Sequence, residues 1–293
     1  MVTPALGREM VVYLTTQYLV SQRRACHVVG IQRATVRYRP QQQAKRVERS
    51  AAITTRLLAL AALRPRFGYR RLGVLLRREG YVANHKRVYR LYQQSHLALR
   101  RKRRKRLATL RRVALVAPVR ANQVWAMDFM QDALVNAPSG HPKFRTLNVV
   151  DVYTRESRAV EVDTSLGGAR VVRVLARLAE AHGTPARIML DNGPAFTSKA
   201  LDAWAYAHQV ELTFSRPGKP TDNGYIESFN GKLRDECLNR HWFTSLDDAR
   251  ATLEAWRCDY NEARPHSALG QLAPTAFAQR SIGFDPATLI ATG

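Results

Sequence analysis

The sequence predicts an α/β fold that is preceded by small all-α units. Two observations lead to this prediction. Of the 47 Lys and Arg residues 29 lie at or before Arg120, but only three of the 23 Asp and Glu residues do. From Gln123 onward, apolar runs with the period of strands alternate with runs at helical spacing. The pattern indicates a phosphate-binding helical module joined to a nearly neutral α/β domain.

Composition excludes several classes of protein. The chain has 293 residues, which is enough to bury a core of ordinary size. Cys26, Cys237 and Cys258 have neither the number nor the spacing of a disulfide framework or a zinc site, so we expect reduced thiols in a cytosolic protein. Arg8 and Glu9 interrupt the apolar start of the chain, and no run of about 20 apolar residues exists elsewhere. The sequence therefore predicts neither a signal peptide nor membrane insertion.

Residues 1–50 are predicted to form a helix-turn-helix-like segment. A short helix after Ser21 has Gly30 at its expected end, and a second basic helix ends at Pro40. Many helical hairpins share this outline, so it is the surrounding positive charge that favours DNA binding.

Residues 51–99 are predicted to form a second basic helical unit that binds DNA. Leu72 and Leu76 mark the apolar face of one helix, Gly80 ends it, and Asn84 is in place to cap the next. The apolar and aromatic side chains are expected in the core, which leaves the cations for phosphates or base edges. The candidate DNA contacts of this unit are Arg70, Arg71, Lys86, Arg87 and Arg90.

Residues 100–120 are predicted to be a basic linker. The run RRKRRKR is too highly charged to fold alone. We expect it to lie along the DNA backbone, where each phosphate contact steepens the salt dependence of binding. A plain flexible linker is the alternative. The candidate contacts are Arg101, Lys102, Arg103 and Arg104.

Residues 121–240 are predicted to form the α/β core. Three consecutive strands, VWAMDFM, TLNVVDVYT and SRAVEVD, fit an antiparallel meander. A helix, the buried strand ARIMLD, a second helix and a strand ending at Phe214 follow, so the order is β-β-β-α-β-α-β before further helices. Residues 241–293 are predicted to be a helical extension of the core with a capping box from Ser245 to Asp248.

Three carboxylates stand out by their positions in this pattern. Asp128 lies inside the first strand, Asp191 at the carboxyl end of the buried strand, and Glu227 on the helix after a Pro-Gly loop. At one edge of the sheet their oxygens would suit Mg²⁺ or Mn²⁺, and two ions about 4 Å apart would serve a phosphoryl displacement. Taken singly, each acid also fits a turn or a solvated position. Asp151 is the rival as a buried acid, and Asp222 is expected to cap the helix of Glu227.

Several longer motifs carry a resemblance to a known family. They are WAMDF around Asp128, LNVVDVYTR, DNGPAF around Asp191, RPGKPTDNGYIESFNGKLR around Glu227 and YNEARPHSALG, with GYRRL and HKRVYRL in the basic part. With these motifs the sequence resembles the OrfB catalytic subunit of bacterial insertion sequences of family three, which are transposases of the retroviral integrase superfamily. The resemblance extends from about Ser21 to Phe277. Asp191 and Glu227 have 35 residues between them, as in the signature of that family.

The resemblance implies a ribonuclease-H-like catalytic core with a mixed sheet flanked by helices. In such a core Asp128, Asp191 and Glu227 would be the catalytic residues and the metal ligands, and the cofactor would be Mg²⁺ or Mn²⁺, with two ions bound. The family commonly has Glu where this chain has Ala195, a change expected to weaken or alter substrate contacts without affecting the fold.

The resemblance also implies DNA contacts on the helix of Glu227. Arg234 stands seven residues later, where the family has a basic residue, and on the same helix face it would meet the DNA backbone. Lys219 and Lys232 are further candidate phosphate contacts.

As a transposase of this family, the protein is expected to cleave the ends of an insertion sequence and transfer the exposed 3′ strand to a second site. The implied partners are DNA with inverted-repeat ends, target DNA, further copies of the chain on that DNA, and the product of an upstream reading frame fused to or paired with this chain. The implied location is the bacterial cytoplasm, at the nucleoid.

Two other classes of function remain open from the sequence. A sequence-specific DNA-binding regulator would keep the basic helices and use the acidic domain only as structure, so replacing Asp191 would leave its function intact. A nuclease of the same fold would hydrolyse DNA or RNA–DNA hybrids without joining strands. The Arg-Pro-His motif at Arg264 favours the transposase over this nuclease.

Overall fold

The computed structural model describes residues 3–37, 43–99, 117–135, 143–216 and 223–282. The chain forms two compact units, Met1–Arg56 and Leu57–Gly293. The helices are α1 (Pro4–Gln17), α2 (Gln22–Val29), α3 (Arg33–Arg37), α4 (Gln43–Leu63), α5 (Tyr69–Arg78), α6 (His85–Gln94), α7 (Gly168–His182), α8 (Lys199–Ala207), α9 (Gly224–Glu236), α10 (Leu246–Glu262) and α11 (Pro274–Ile282). The strands are β1 (Val124–Ala133), β2 (Lys143–Asp151), β3 (Ser157–Asp163), β4 (Arg187–Leu190) and β5 (Glu211–Phe214).

The first unit begins with α1, α2 and α3, whose small core contains Val11, Ala25 and Cys26. The Ser21 hydroxyl accepts a hydrogen bond from the backbone N–H of Arg24 at 3.3 Å and so caps α2. Gly30 ends α2 in the left-handed conformation, with φ of 70°. The predicted helix and its end are confirmed, whereas Pro40 lies outside the described residues.

In the second unit, α5 and α6 form a helical pair. Their buried side chains are Leu72, Val74, Leu75, Leu76, Val88, Leu91 and Tyr92. The Asn84 side chain accepts a hydrogen bond from the backbone N–H of Lys86 at 2.9 Å, which confirms the predicted cap of α6. Gly80 follows the end of α5 with φ of 87°, a conformation that side chains other than glycine adopt only with strain.

Five strands form one mixed sheet in the order β3-β2-β1-β4-β5. β1, β2 and β3 are the predicted antiparallel meander, while β4 pairs parallel with β1 and β5 pairs parallel with β4. The predicted order of strands and helices is confirmed. Because β1 and β4 are parallel neighbours, their carboxyl ends point toward the same edge of the sheet.

The two faces of the sheet pack against different helices. Trp125 and Met127 of β1 face α7 and α8, whereas Ala126 and Met130 face α9 and α10. Successive side chains of a strand point to opposite faces. Asp128 therefore shares the face that packs against α9.

The C-terminal helices begin with local caps, one of which differs from the prediction. The Ser245 hydroxyl accepts a hydrogen bond from the N–H of Asp248 at 3.1 Å, as a capping box requires, but the Asp248 carboxylate accepts from the N–H of Thr244 at 3.0 Å. Before α9, the side chain of Asn223 makes no capping hydrogen bond, and Asp222 lies outside the described residues. Among the described helices, none combines the length and the apolar character needed to span a membrane.

Candidate active site

Asp128 lies in the middle of β1. One carboxylate oxygen accepts a hydrogen bond from the N–H of Phe129 at 2.8 Å, and the other accepts from the side-chain amide of Asn230 on α9 at 2.8 Å. Burial, together with the nearby charges of Asp191 and Glu227, raises the pKa of Asp128 to about 6 in spite of these hydrogen bonds. The carboxylate is therefore desolvated and surrounded by further negative charge.

Asp191 follows β4 directly and is exposed. Ala126 of β1 is paired with Met189 of β4, and Asp128 and Asp191 each lie two residues further along their strands. The backbone N–H of Gly193 donates to an Asp191 carboxylate oxygen at 3.1 Å, which fixes the turn after the strand. The parallel pairing thus brings two of the predicted site residues to the same level of the sheet.

Glu227 is exposed in the first turn of α9, and the packing of α9 sets its position. The buried side chains of Ile226, Phe229 and Leu233 hold the helix against β1 and β2. The side-chain amide of Asn223 donates to the carbonyl of Met127 at 3.3 Å and ties the start of the helix to the centre of β1. The structure thus brings Glu227 close enough to raise the pKa of Asp128.

The three carboxylates suit a divalent metal ion by their chemistry. All of their donor atoms are oxygens, and the raised pKa of Asp128 reflects burial together with neighbouring negative charge, which a cation would offset. Within the described part of the chain, however, no three His, Cys, Asp or Glu side chains are arranged to hold an ion. Glu227 is exposed, so its side chain can change rotamer to approach the other two acids.

A buried pair of amides supports Asp128, and sequence reasoning missed both. The side chain of Asn148 on β2 donates to the Asn230 oxygen at 2.7 Å, and Asn230 donates in turn to Asp128. An ionised carboxylate only accepts hydrogen bonds, so the direction of both bonds favours the charged form of Asp128. The available signals were an asparagine within the apolar run LNVV of β2 and another three residues after Glu227.

Asp151, the rival buried acid, has a structural role instead. One of its carboxylate oxygens accepts from the N–H groups of Tyr153 and Thr154 at 2.9 Å each, and the other accepts from the N–H of Asn122 at 2.8 Å. The guanidinium of Arg158 lies 3.4 Å from the second oxygen. These contacts stabilise the turn after β2 and use both oxygens of Asp151.

The predicted DNA contacts lie in different environments. Lys86 and Arg90 are exposed on α6, and Arg70 is close to the ring of Tyr69 with its charge centre 5.8 Å from the ring centroid. Arg87 is partly exposed. Outside the described residues lie Arg101, Lys102, Arg103, Arg104 and Lys219.

Three other predicted DNA contacts also touch protein groups. Arg71 lies 3.6 Å from Glu236, and the Lys232 ammonium donates to the Ser228 hydroxyl at 3.1 Å. Arg234 donates to the carbonyl of Gln131 at 2.7 Å. Arg234 is therefore held beside β1, on the helix that carries Glu227.

The Arg-Pro-His motif joins α5 to the C-terminal helices. Arg264 is 2% exposed, and its guanidinium donates to the Glu236 carboxylate at 2.8 and 2.5 Å. Arg78 at the end of α5 donates to the carbonyls of Ala263 and Gln271 at 2.7 and 2.9 Å. Two further ion pairs at this junction are Arg64–Asp259 and Arg66–Asp235. The motif thus fixes the helical pair of the second unit against the helix of Glu227.

A ribonuclease-H-like sheet with carboxylates at one edge, preceded by basic helices, defines a DNA-processing enzyme. Profiles of the integrase core domain match residues 118–220 and 208–274, and a profile of an HTH-like domain matches residues 55–105. A chain of the simian T-cell lymphotropic virus intasome in complex with PP2A regulatory subunit B56 gamma has the same fold. The TM-score is 0.50 and the identity 16%, over 76% of this chain and 74% of that one.

Proteins of insertion elements are similar along most of the chain. The 31.7 kDa protein of insertion element IS407 from Burkholderia multivorans is 49% identical, over 89% of this chain and 91% of the relative. The 39.2 kDa protein of insertion element IS476 from Xanthomonas euvesicatoria is 44% identical, over 94% of this chain and 77% of the relative. Transposase InsD of Escherichia coli is 27% identical, over 74% of each chain. The chain belongs to this family of insertion-element transposases with an integrase core.

Proposed function

We propose that Asp128, Asp191 and Glu227 bind two divalent metal ions, Mg²⁺ or Mn²⁺, and that this site cleaves and joins DNA strands at the ends of an insertion sequence. The observation that carries the proposal is that three carboxylates from separate elements lie near one another: burial, together with the charges of Asp191 and Glu227, raises the pKa of Asp128. Such a cluster of negative charge costs stability unless a cation offsets it.

Two displacements at phosphorus account for the reaction. In the first, the oxygen of water bonds to phosphorus at the element end, and the 3′ oxygen leaves and takes up a proton. In the second, that 3′ hydroxyl bonds to a phosphorus of another strand, loses its proton, and displaces the oxygen already bound there. Metal ions held by Asp128, Asp191 and Glu227 would supply the activation of the attacking oxygen and the stabilisation of the leaving one.

The protein's own residues position the reacting groups. Asn230 and the N–H of Phe129 orient the two oxygens of Asp128. Arg234, beside β1 on the helix of Glu227, is in place to contact a phosphate of the bound strand. On α6, Lys86 and Arg90 are exposed and suited to the backbone of the same DNA.

The family of the chain suggests how it assembles. We propose that several copies act on paired inverted-repeat ends, and that the product of an upstream reading frame is fused to this chain or bound by it. The protein would then act in the bacterial cytoplasm on DNA of the nucleoid. Expression with and without the upstream frame, followed by measurement of the mass of the complex on end DNA, tests this assembly.

The reaction is tested with the DNA that flanks the gene. A labelled fragment with both ends is incubated with Mg²⁺ and with the wild type, Asp191→Asn or Asp202→Asn. Asp202 is an exposed acid on α8 and serves as the matched control. We expect cleaved and joined strands from the wild type and from Asp202→Asn, and neither from Asp191→Asn, which should still bind the DNA.

Other outcomes of this experiment identify the alternatives. Cleavage without any joined product would support a hydrolytic nuclease. Equal DNA binding without cleavage by all three proteins, in Mg²⁺ and in Mn²⁺, would support a DNA-binding protein whose acidic domain is only structural. Cleavage by Asp191→Asn at the wild-type rate would show that Asp191 is not a catalytic residue.

A further inference from the structure

A cationic pocket lies where the chain before and within α5 meets α9. Its volume is about 220 Å³. Its charged lining residues are Arg66, Arg71, Lys232, Asp235, Glu236 and Arg264. The four cations outnumber the two acids, so the pocket carries excess positive charge.

Both acids of the cationic pocket are already paired. Glu236 accepts two hydrogen bonds from Arg264, and Arg71 lies 3.6 Å from the same carboxylate. Asp235 accepts a hydrogen bond from Arg66. Each acid of the pocket is therefore paired with an arginine, and Lys232 shares the charge of Glu236 with Arg264 and Arg71.

Lys232 is the cation with the least compensation in the pocket. Within the described residues, its ammonium has the Ser228 hydroxyl as hydrogen-bond partner, at 3.1 Å. Burial lowers the pKa of Lys232 to about 8. The charges of Arg264, Arg71 and Arg155 add to the lowering, and the charge of Glu236 opposes it in part. A cation placed among other cations destabilises the folded protein unless an anion completes the site.

The position of the pocket indicates which anion completes it. Gly231 also lines the pocket and lies four residues, about 6 Å along the helix axis, beyond Glu227. Arg71 belongs to α5, within the HTH-like match. The pocket is therefore shared by the helix of the candidate active site and by the basic helical unit, and a DNA strand that crosses both passes it.

We propose that the cationic pocket binds a phosphodiester of the DNA on which the carboxylate site acts, with Lys232 as the principal contact. This inference rests on the proposed function for the identity of the ligand. A bound phosphate would supply the negative charge that the pocket lacks and would fix the DNA backbone at a set distance from Glu227. Lys232 would contact substrate without taking part in the displacement at phosphorus.

The test measures DNA affinity and stability together. The wild type, Lys232→Met, Lys232→Arg and Lys143→Met are titrated with duplex DNA in EDTA at several salt concentrations, and their thermal unfolding is recorded. Lys143 is an exposed lysine at the start of β2 and controls for the loss of one charge. Because EDTA removes the metal that the proposed reaction requires, the titration measures DNA binding alone.

We expect the salt slope of log K for Lys232→Met to be shallower by about 0.9, the value of one phosphate contact. Lys232→Arg and Lys143→Met should keep the wild-type slope. The melting temperature of Lys232→Met should equal or exceed that of the wild type, because the variant removes a buried cation whose charge Glu236 offsets only in part. Weaker binding without loss of stability is not expected of a lysine that only supports the fold.

Several results would contradict the proposal that the cationic pocket binds a phosphate. An unchanged slope for Lys232→Met would show that no phosphate binds there. An equally reduced salt slope for Lys143→Met would show a general effect of net charge. A loss of both thermal stability and DNA binding in Lys232→Met would show that Lys232 has a structural role. These results are independent of the Asp191→Asn experiment. A failure of the proposed phosphate binding can therefore be distinguished from a failure of the proposed reaction.

Discussion

Both faces of the central sheet bury apolar side chains, but the face toward α9 and α10 also buries polar side chains beside Asp128. Toward α7 and α8 the strands contribute the buried side chains of Trp125, Met127, Leu147, Val149, Ile188 and Leu190. Toward α9 and α10 they contribute apolar side chains such as Met130, Phe144 and Val150, together with the buried Thr146 and Asn148; we call this the polar face. In the described part of the chain, Thr146 Oγ1 and Asn148 Oδ1 have no hydrogen-bond partner.

Because of this difference, one face of the sheet contributes mainly to stability, whereas the other also carries the candidate active site. An apolar face gains free energy from each side chain that it removes from water. A buried polar atom without a partner costs free energy, so Thr146 and Asn148 lower the stability that the polar face gains from its apolar side chains. Its polar residues include the amides that orient Asp128, which explains why the cost is retained where the carboxylates lie.

The largest expected effect comes from the apolar face. Trp125→Ala removes a side chain that is 0% exposed and should lower the free energy of unfolding by about 3–5 kcal/mol. Urea unfolding measures the change. Tyr206→Ala, at a side chain that is 89% exposed, is the control and should change stability by less than about 0.5 kcal/mol. Similar values for the two variants would contradict the assignment of stability to this face.

On the polar face, Asp128→Asn should stabilise the metal-free protein above pH 6. Folded Asp128 keeps its proton up to a pKa of about 6, whereas the ordinary value is 3.8. Asp128 therefore favours the folded state below pH 4, and this contribution is lost as the pH rises through about 6. Each pKa unit corresponds to about 1.4 kcal/mol, so the variant should gain at most about 3 kcal/mol at pH 7.5, less where water screens the carboxylate.

Urea unfolding in EDTA at pH 7.5 and pH 4 measures this gain. The difference between Asp128→Asn and the wild type should be present at the higher pH and nearly absent at the lower one. Asp202→Asn, the exposed control, should show no gain at either pH. A gain of the same size at pH 4 would mean that the negative charge of Asp128 is not its cause.

A smaller effect on stability, with a clear effect on activity, is expected from Asn148→Leu. The variant removes the donor to Asn230, whose amide is then free to turn its oxygen toward Asp128. It also removes an oxygen without a partner, so stability should change by less than about 1 kcal/mol. Loss of a residue that orients a ligand typically costs about 10- to 100-fold in metal affinity or activity.

Thr146→Val is the matched control for Asn148→Leu. Thr146 lies two residues earlier on β2, is equally buried, and has no contact with Asn230 among the described hydrogen bonds. The cleavage rate as a function of Mg²⁺ concentration, and the thermal shift on adding Mn²⁺, should change for Asn148→Leu alone. An equal change in both variants would point to general repacking of the face.

Local signals predicted much of the fold. Gly30, Asn84 and Ser245 mark helix ends through contacts with residues at most four positions away, and such contacts are visible in a sequence. The order of strands and helices followed from periodicity. The integrase-like fold was predicted through motifs, and the comparisons confirm it.

Contacts between distant residues were not predictable in the same way. Asn148 and Asn230 are 82 residues apart, and Arg264 is 28 residues from Glu236. No local pattern distinguishes these residues from surface amides or solvated charges, because their partners are set by the packing of α9 on the sheet and of α5 against the C-terminal helices. The three carboxylates were predicted from their positions on the predicted elements and from the motifs of the family, whereas their supporting side chains carry no such signal.

The smallest expected effect concerns Ala195, where the family commonly has Glu. Ala195 is partly buried against the apolar cluster, and its carbonyl accepts a hydrogen bond from the Ser198 hydroxyl at 3.0 Å. Ala195→Glu should change stability by less than about 1 kcal/mol, because its side chain can reach solvent. Ala200→Glu, at an exposed position on α8, is the control for the added charge.

The activity of Ala195→Glu shows whether position 195 affects only the packing of the apolar face or also the bound substrate. If it only borders the apolar face, the cleavage rate of both variants should stay within about tenfold of the wild type, which is about 1.4 kcal/mol in the barrier. A larger change in Ala195→Glu alone, measured on the same end fragment, would mean that the acid reaches the substrate bound near Asp191. The turn after β4 would then have two roles, because it would pack against the apolar face of the sheet and would also contact the substrate.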